Sequence, residues 1–521
     1  MDSTAFLLKC RSLIAPCKLR QKKFFYKFID FFAIFAYCIQ YAILKPILLF
    51  PIGVDMKKNL GFLLTIAIGL VLWFLPIPQG VTPEAWHVLA VMVATIAGFI
   101  FIPLPIGYVA IFGITAAILF KVLPLKVALA GFSNSLLWLI VMAFMFSRAF
   151  LKTGLGERLS LKILSLIGDS TLKVAYGLTI SGSILAAGIP SGTARAGGVI
   201  YPIVRSMCKA LDSEPDKNPD RAGRFLIQSY FQSEAFISYL FMTAMAGNVL
   251  VMQYAKDLAN LEMTWGGWAL AALLPGLASI ALVPLATYYV VPPTLKKTPE
   301  AKREAQRMLD ALGPISAKEI ILCAIFILSI ALWMLGDYTG IGSTLVAFIA
   351  VCAMLYFQIL TWDDVLGEKG AWDTLIWMGV LVCMAGALTE KGFMVWLGNG
   401  LGSIFVGAEW WIVALAIAVF FNYTQYAFAS STAHMVALYG ACLTVMLGAG
   451  CPPLLSILML AFIANTPACL TQYTCGFAPI YFNAGYFTNS EWWKIGFVMS
   501  WLHLSIVLVF GTIWWKVIGL W

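Results

Sequence analysis

Charge is what this sequence has least of. Asp, Glu, Lys and Arg together make up 11% of its 521 residues, against about a quarter in soluble globular domains. Hydrophobic residues make up 61%, and the mean hydropathy is +0.89. So apolar a composition excludes a water-soluble domain and implies a polytopic membrane protein. Histidine is nearly absent, with three residues, His87, His434 and His503. Metal-ligand spacing, a glycine-rich nucleotide-binding loop, a nucleophile beside a base and a nucleic-acid signature are all missing. Those absences weigh against an ATP-driven pump and an intramembrane enzyme, and no cofactor, metal or nucleic acid is expected. The 11 cysteines, among them Cys323, Cys352, Cys383, Cys469 and Cys475, lie mostly in apolar runs without paired spacing. They read as small apolar residues rather than a disulfide framework. The first 23 residues carry Lys9, Arg11, Lys18, Arg20, Lys22 and Lys23. They lack a small-residue cleavage site after an apolar core, which argues against a cleaved secretory signal and leaves an organelle transit peptide open.

What is abundant is apolar sequence in lengths suited to a bilayer, where a crossing helix needs roughly 20 residues. Spans are predicted over residues 60–76, 84–101, 106–121, 135–150, 225–252 and 266–290, and again over 319–336, 341–360, 372–390, 452–479 and 491–517. Amphipathic pieces are predicted from Thr153 to Leu166, with Glu157, Arg158 and Lys162, and near Gly392 to Phe405. The uncharged run Phe31 to Leu44 is too short to cross and reads as an interfacial helix. The longest polar stretch, 296–318, carries Lys296, Lys297, Lys302, Arg303 and Arg307. The expected organisation is therefore a basic extension over 1–58, a first repeat over 59–295, a linker over 296–318 and a second repeat over 319–521. Six crossings return the linker to the side of the N-terminus. Both segments are Lys/Arg-rich, so both are expected to be cytoplasmic. The tryptophans at 86, 265, 268, 492, 493, 514, 515 and 521 read as interfacial anchors.

Two stretches break the pattern. Ala187 to Tyr201, AGIPSGTARAGGVIY, is polar and glycine-rich between two short apolar arms, and Ala427 to Tyr439, AFASSTAHMVALY, echoes it. Each reads as the tip of a re-entrant hairpin, over 172–207 and 410–447. Backbone that leaves the helix at membrane depth is tolerated only where it lines an enclosed or water-filled cavity. An odd number of spans separates equivalent elements, so the hairpins enter from opposite faces. In each half a span with a polar interruption follows, Ala246-Gly247-Asn248 and Asn465-Thr466-Pro467. The fold class is thus an all-α polytopic membrane protein built as an inverted repeat. Paired interrupted segments in such a repeat point to a secondary transporter with a midplane site.

The tips offer hydroxyls at Ser191, Thr193, Ser430, Ser431 and Thr432, with Gly192 between the first two, and a basic residue at matched places, Arg195 and His434. A charge at mid-bilayer costs at least about 2.5 kcal/mol unless partnered. Arg195 therefore either receives a substrate carboxylate in a bidentate pair or forms a fixed ion pair, with Glu234 as the candidate. His434 either joins the site or is a packing residue, as is expected of His87 and His503. One basic group per half suits a substrate with two carboxylates, helped by helix-start N–H groups beyond each tip.

These hairpin tips, with PSGTARAGGVIYP (Pro190 to Pro202), FQSEAFISYLFMTAMAGN (Phe231 to Asn248), FASSTAH (Phe428 to His434) and WWKVIGLW (Trp514 to Trp521), resemble the divalent anion/sodium symporter family. The likeness is to its plastid-type 2-oxoglutarate/malate translocators and related bacterial dicarboxylate and citrate exchangers, over about residues 55 to 521. The resemblance implies an elevator-type homodimer in a lipid bilayer. It also implies a site at Ser191, Gly192, Thr193, Arg195, Ser430, Ser431, Thr432 and His434, with Asn248, Asn465, Thr466 and Pro467 at the interrupted spans. Sodium-coupled members carry Ser-Asn-Thr at both tips, and the Asn helps coordinate Na⁺; here the tips read Ser-Gly-Thr and Ser-Ser-Thr. The expectation is Na⁺-independent exchange of dicarboxylates, with uncompensated charge on Arg195, and on protonated His434, forbidding the empty crossing. The alternatives are a Na⁺-coupled symporter and, more remotely, a passive anion channel. A bacterial inner membrane and a plastid inner envelope both suit it.

Overall fold

The computed structural model describes residues 54–402 and 409–521. The interfacial helix expected from Phe31 to Leu44 lies outside them. Among the described residues there are helices and isolated bridges but no β-strand. Numbering only the longer helices, α1 (Val54–Phe74), α2 (Pro83–Phe101), α3 (Ile106–Leu119) and α4 (Ser135–Thr153) come first. They are followed by α5 (Leu155–Ile167), α6 (Thr171–Ala186) and α7 (Tyr201–Ala210), which continues a π-helical stretch, Thr193–Ile200. Then come α8 (Gly223–Ile237), α9 (Ala246–Ala259) and α10 (Trp265–Val290). After α11 (Pro299–Ala311) the second half runs through α12 (Ala317–Met334), α13 (Ser343–Tyr356), α14 (Lys369–Glu390) and α15 (Phe393–Gly402). It closes with α16 (Trp410–Thr424), α17 (Ser431–Gly448), α18 (Pro453–Ile463) and α19 (Asn489–Ser505). Eight helices among the described residues are long and apolar enough to cross a membrane, and shorter apolar helices accompany them. The protein is an integral, multi-pass membrane protein.

Local chemistry sets the ends of these elements. The Asn134 carboxamide oxygen accepts from the N–H groups of Leu136 and Leu137 and starts α4. Gly154, at φ +76°, ends it in the left-handed region that glycine enters at no steric cost. The chain turns there into the amphipathic α5, which buries Leu155, Leu161 and Leu164 and exposes Lys162. The polar linker holds a helix that apolarity alone did not reveal. Pro299 and Glu300 open α11, Ala301 and Ala305 are buried, and Lys302 Nζ donates to the Leu166 carbonyl at 3.2 Å.

Ion pairs gather one face of the bundle, the linker face, where the ends of the 296–318 segment lie. Arg158 on α5 reaches Glu319 at the start of α12, Nε to Oε1 2.5 Å. Arg148 and Lys152, at the end of α4, both hold Asp364 in the turn before α14. Arg224, at the start of α8, binds Glu491 at the start of α19, 2.6 Å. The base of the α6–α7 hairpin joins them through Thr171 N–H to the Lys296 carbonyl, 3.2 Å. The opposite face gathers Trp396 on the Gln79 carbonyl (2.8 Å), Thr344 on the Ser135 carbonyl (2.9 Å) and the rings of Trp410 and Trp521, 6.0 Å apart. The α16–α17 hairpin opens there, so the two hairpins enter from opposite faces and their tips meet inside.

Several tryptophans depart from the interfacial expectation. Trp265, Trp268, Trp492 and Trp515 are fully buried. Trp265 donates to Thr243 Oγ1, Trp268 to the Tyr239 carbonyl and Trp515 to the Ala271 carbonyl. The indole N–H groups of Trp265, Trp268 and Trp515 are thus satisfied by a hydroxyl and two carbonyls, which is why their polar ring ends are tolerated inside, whereas that of Trp492 has no partner among the described residues.

Candidate functional site

Each tip unwinds for a reason written in its residues. Pro190 has no N–H and pushes Ile189 out of the helical region, so α6 stops before Ser191. Ser191 Oγ then accepts from Ala194 N–H at 3.2 Å and starts the next helical stretch. In the second hairpin Ser430 is extended, at φ −151°, and its Oγ accepts from Ala433 N–H at 3.3 Å. In both, the serine oxygen caps while its O–H remains available to donate. Ser431 is committed, donating to the Thr474 carbonyl at 3.0 Å. The hydroxyls of Thr193 and Thr432 make no hydrogen bond among the described residues.

Between the tips lies a cavity of about 190 Å³. The tips supply Ser191, Gly192, Thr193, Ser430, Ser431 and Thr432. The two helix breaks supply Ser238, Met245, Ala246, Asn465, Ala468, Cys475, Gly476 and Phe477, and a third wall is Ile106, Phe144, Thr374 and Trp377. No Asp, Glu, Lys, Arg or His side chain is among the residues that line it. Positive potential comes from backbone instead. The helical stretch from Thr193, α9 and α17 all begin at the cavity, and α9 begins without a side-chain cap. Each such end carries about half a positive charge and unpaired N–H groups, a ready anion site.

The two helix breaks are joined. Asn465 Nδ2 donates to Asn248 Oδ1 at 3.0 Å, and Asn248 Nδ2 donates to the carbonyls of Ser238 and Phe241 at 2.8 and 3.1 Å. Asn465 reaches the cavity, while Asn248, Thr466 and Pro467 lie behind its wall. Thr466 Oγ1 donates to the Ile463 carbonyl, and Pro467 lies in the 3₁₀ turn Thr466–Cys469.

Arg195 and His434 stand elsewhere than the substrate-facing reading placed them. Arg195 is fully buried and paired through its guanidinium with Glu234, which is equally buried. It also donates to the carbonyls of Ile189 (2.5 Å) and Ala244 (3.1 Å) and to Ser238 Oγ (3.3 Å), while Tyr230 donates to Glu234 at 3.0 Å. Its charge is compensated inside the protein, so it is not the uncompensated charge that would forbid an empty crossing. A guanidinium at this depth must satisfy its donors locally, and a carboxylate one helix away does so permanently. His434 is fully buried on the side of α17 that packs against α16, its Nε2 2.9 Å from Thr424 Oγ1 and its ring against Phe421 and Phe428. It is a packing residue in this arrangement.

The place matching Arg195 in the second half is taken by Gln425. Its Nε2 donates to the carbonyls of Phe428 (3.2 Å) and Thr474 (3.4 Å). Phe428 precedes Ser430 by two residues, as Ile189 precedes Ser191. In each half, then, a fixed nitrogen donor bridges the carbonyl before the tip to a carbonyl of the broken helix. Among the described residues no three His, Cys, Asp or Glu side chains converge as a metal site. The sequence reading missed Ser238, Thr374 and Cys475 to Phe477. The last had a signal, since TQYTCGFAP is polar and glycine- and proline-bearing inside an apolar span; Thr374 had none.

A protein-family profile described as "Sodium:sulfate symporter transmembrane region" matches residues 56–521. The chain is 44% identical over 465 residues to the "Putative malate transporter YflS" of Bacillus subtilis, covering 89% of this chain and 97% of that protein. It is 40% identical to "Dicarboxylate transporter 1, chloroplastic" of Arabidopsis thaliana, covering 88% and 83%, and 34% identical to "Inner membrane protein YbhI" of Escherichia coli, covering 89% and 99%. Among solved structures the crystal structure of the Alcanivorax borkumensis YdaH transporter has the same fold at 12% identity, with a TM-score of 0.50, covering 89% of this chain and 98% of that one.

Proposed function

Because the chain belongs to the sodium:sulfate symporter transmembrane family, and so is a transporter and no enzyme, we propose that it exchanges dicarboxylates of the malate and 2-oxoglutarate class, without Na⁺, through the cavity between its hairpin tips. The observation that carries this reading is the make-up of the cavity: three helix N-termini and a set of hydroxyl donors, with no acidic side chain to repel an anion. Two opposed tips suit two carboxylates.

Independence from Na⁺ is supported by what already occupies the oxygen-rich places behind each tip. A hard cation needs several oxygen ligands. Here the Ile189 and Ala244 carbonyls and the Glu234 carboxylate are engaged by the Arg195 guanidinium, and the Phe428 and Thr474 carbonyls by the Gln425 amide. Exchange is supported by the cavity rather than by Arg195. An occluded, empty cavity would carry three partial positive ends through the bilayer without a counter-charge, at several kcal/mol. A bound dianion removes that penalty, so the loaded site crosses and the empty one does not.

The test is uptake of labelled malate into proteoliposomes holding the purified protein. Uptake should require a dicarboxylate inside and should persist when Na⁺ is replaced by choline. Uptake into substrate-free vesicles driven by a Na⁺ gradient would identify a symporter instead, and anion current without counter-substrate a channel.

A further inference from the structure

The third wall of the cavity does not belong to the hairpins or to the broken helices. Three of its members, Ile106, Phe144 and Trp377, are apolar, and the fourth is Thr374. Thr374 is 5% exposed, yet its hydroxyl has no hydrogen-bond partner among the described residues, although a helical threonine ordinarily bonds back to its own helix. It stands five residues into α14, a helix of 22 residues, so it is about 8 Å from one end and more than about 20 Å from the other at 1.5 Å per residue. That nearer end is fixed to the ion-paired face. Asp364, held by Arg148 and Lys152, lies just before α14. The Asp373 carboxylate accepts from Gly107 N–H at 3.0 Å and clamps the start of α3 to it.

We infer that Thr374 is a one-sided substrate contact: its hydroxyl donates to a dicarboxylate in the cavity when the site is open toward the linker face, and is left behind when the tips carry the substrate to the other face. This rests on the cavity being the transport site. It rests also on the elevator motion that the family resemblance implies, in which the tips travel with the substrate and their hydroxyls serve at both faces. A side chain anchored near one end of α14 serves at one only. Affinity at the linker face is thereby tuned separately from affinity at the other.

Malate exchange is measured in proteoliposomes of uniform orientation, with half-saturation read at each face in turn. Thr374→Val, which keeps the shape and loses the donor, should raise half-saturation at the linker face about tenfold, the equivalent of one hydrogen bond to a charged group. The opposite face should stay unchanged, and Thr374→Ser, which keeps the hydroxyl, should remain close to the parent at both. Thr432→Val serves as reference and should raise half-saturation at both faces. If Thr432→Val alters neither face, the cavity is not the transport site and the parent reading fails. If it alters both while Thr374→Val alters neither, or both equally, only the one-sided role of Thr374 is overturned.

Discussion

Arg195 shows how one residue's meaning depends on its partner. Its guanidinium and the Glu234 carboxylate are both fully buried, and either alone would be an unpaired charge in a low-dielectric interior. Arg195→Ala or Glu234→Ala should therefore destabilise the protein by about 3–5 kcal/mol. The double variant Arg195→Met/Glu234→Met, which removes both charges, should recover much of the loss. Thermal unfolding of the four proteins in detergent checks this, and additive losses in the double variant would show that the two side chains do not act as a pair. The position of Arg195 was legible in the sequence, because an arginine two residues past a polar tip stands out in an apolar chain. Whether it faced substrate or Glu234 was not legible, since both readings need the same residue at the same depth. Only the directions of α8 and the first tip decide it. His434 was misread for a related reason. The SSTAH echo of SGTAR is real, but the second tip starts a regular α-helix where the first starts a π-helical stretch, so equivalent positions point differently.

At the level of elements, close approach is bought by glycine. A Cβ on Gly496 of α19 would lie 2.3 Å from the Leu470 carbonyl oxygen and 2.7 Å from that of Cys469. Both are backbone atoms of the second broken helix and cannot rotate aside. Gly496→Ala should push α19 off the break, lowering the melting temperature and reducing exchange. Gly342→Ala, where a Cβ meets nothing within 4 Å, should change neither. Thermal unfolding and malate exchange of the two variants test the contrast. The helices themselves were largely legible because apolar run length is a direct readout of membrane crossing; α2 and α10 begin and end within a residue or two of the expected bounds. Helix α11 was not, because a search for apolarity passes over a surface helix whose buried stripe is Ala301 and Ala305. The cavity's third wall was illegible for a different reason. Ile106 and Phe144 lie more than two hundred residues before Thr374 and Trp377 in sequence, and no local pattern marks side chains that meet only after the bundle has assembled.

Across the whole molecule, the linker face is held by ionic contacts and the opposite face chiefly by aromatic rings and carbonyls, so acid should loosen one end first. Burial tends to raise the Asp364 carboxyl, but Lys152, the N–H and hydroxyl of Thr361 and Arg148 outweigh it and hold it well below the usual carboxylate range. A carboxyl depressed in the folded state stabilises fully above its unfolded value of about 3.9 and loses that contribution as pH falls below it. The parent protein should lose thermal stability between about pH 5 and pH 3, while Asp364→Asn should start lower and change less over the same range. Melting curves in detergent at a series of pH values decide it, and parallel curves for the two proteins would remove Asp364 from the account.

The bond between Asn248 and Asn465 has a consequence for timing. It yokes the kink of one half to the kink of the other at the molecule's centre, so a tug on either is felt by its mirror image. Under the exchange proposed above, a dicarboxylate held between the two linked breaks would be let go by both together or by neither.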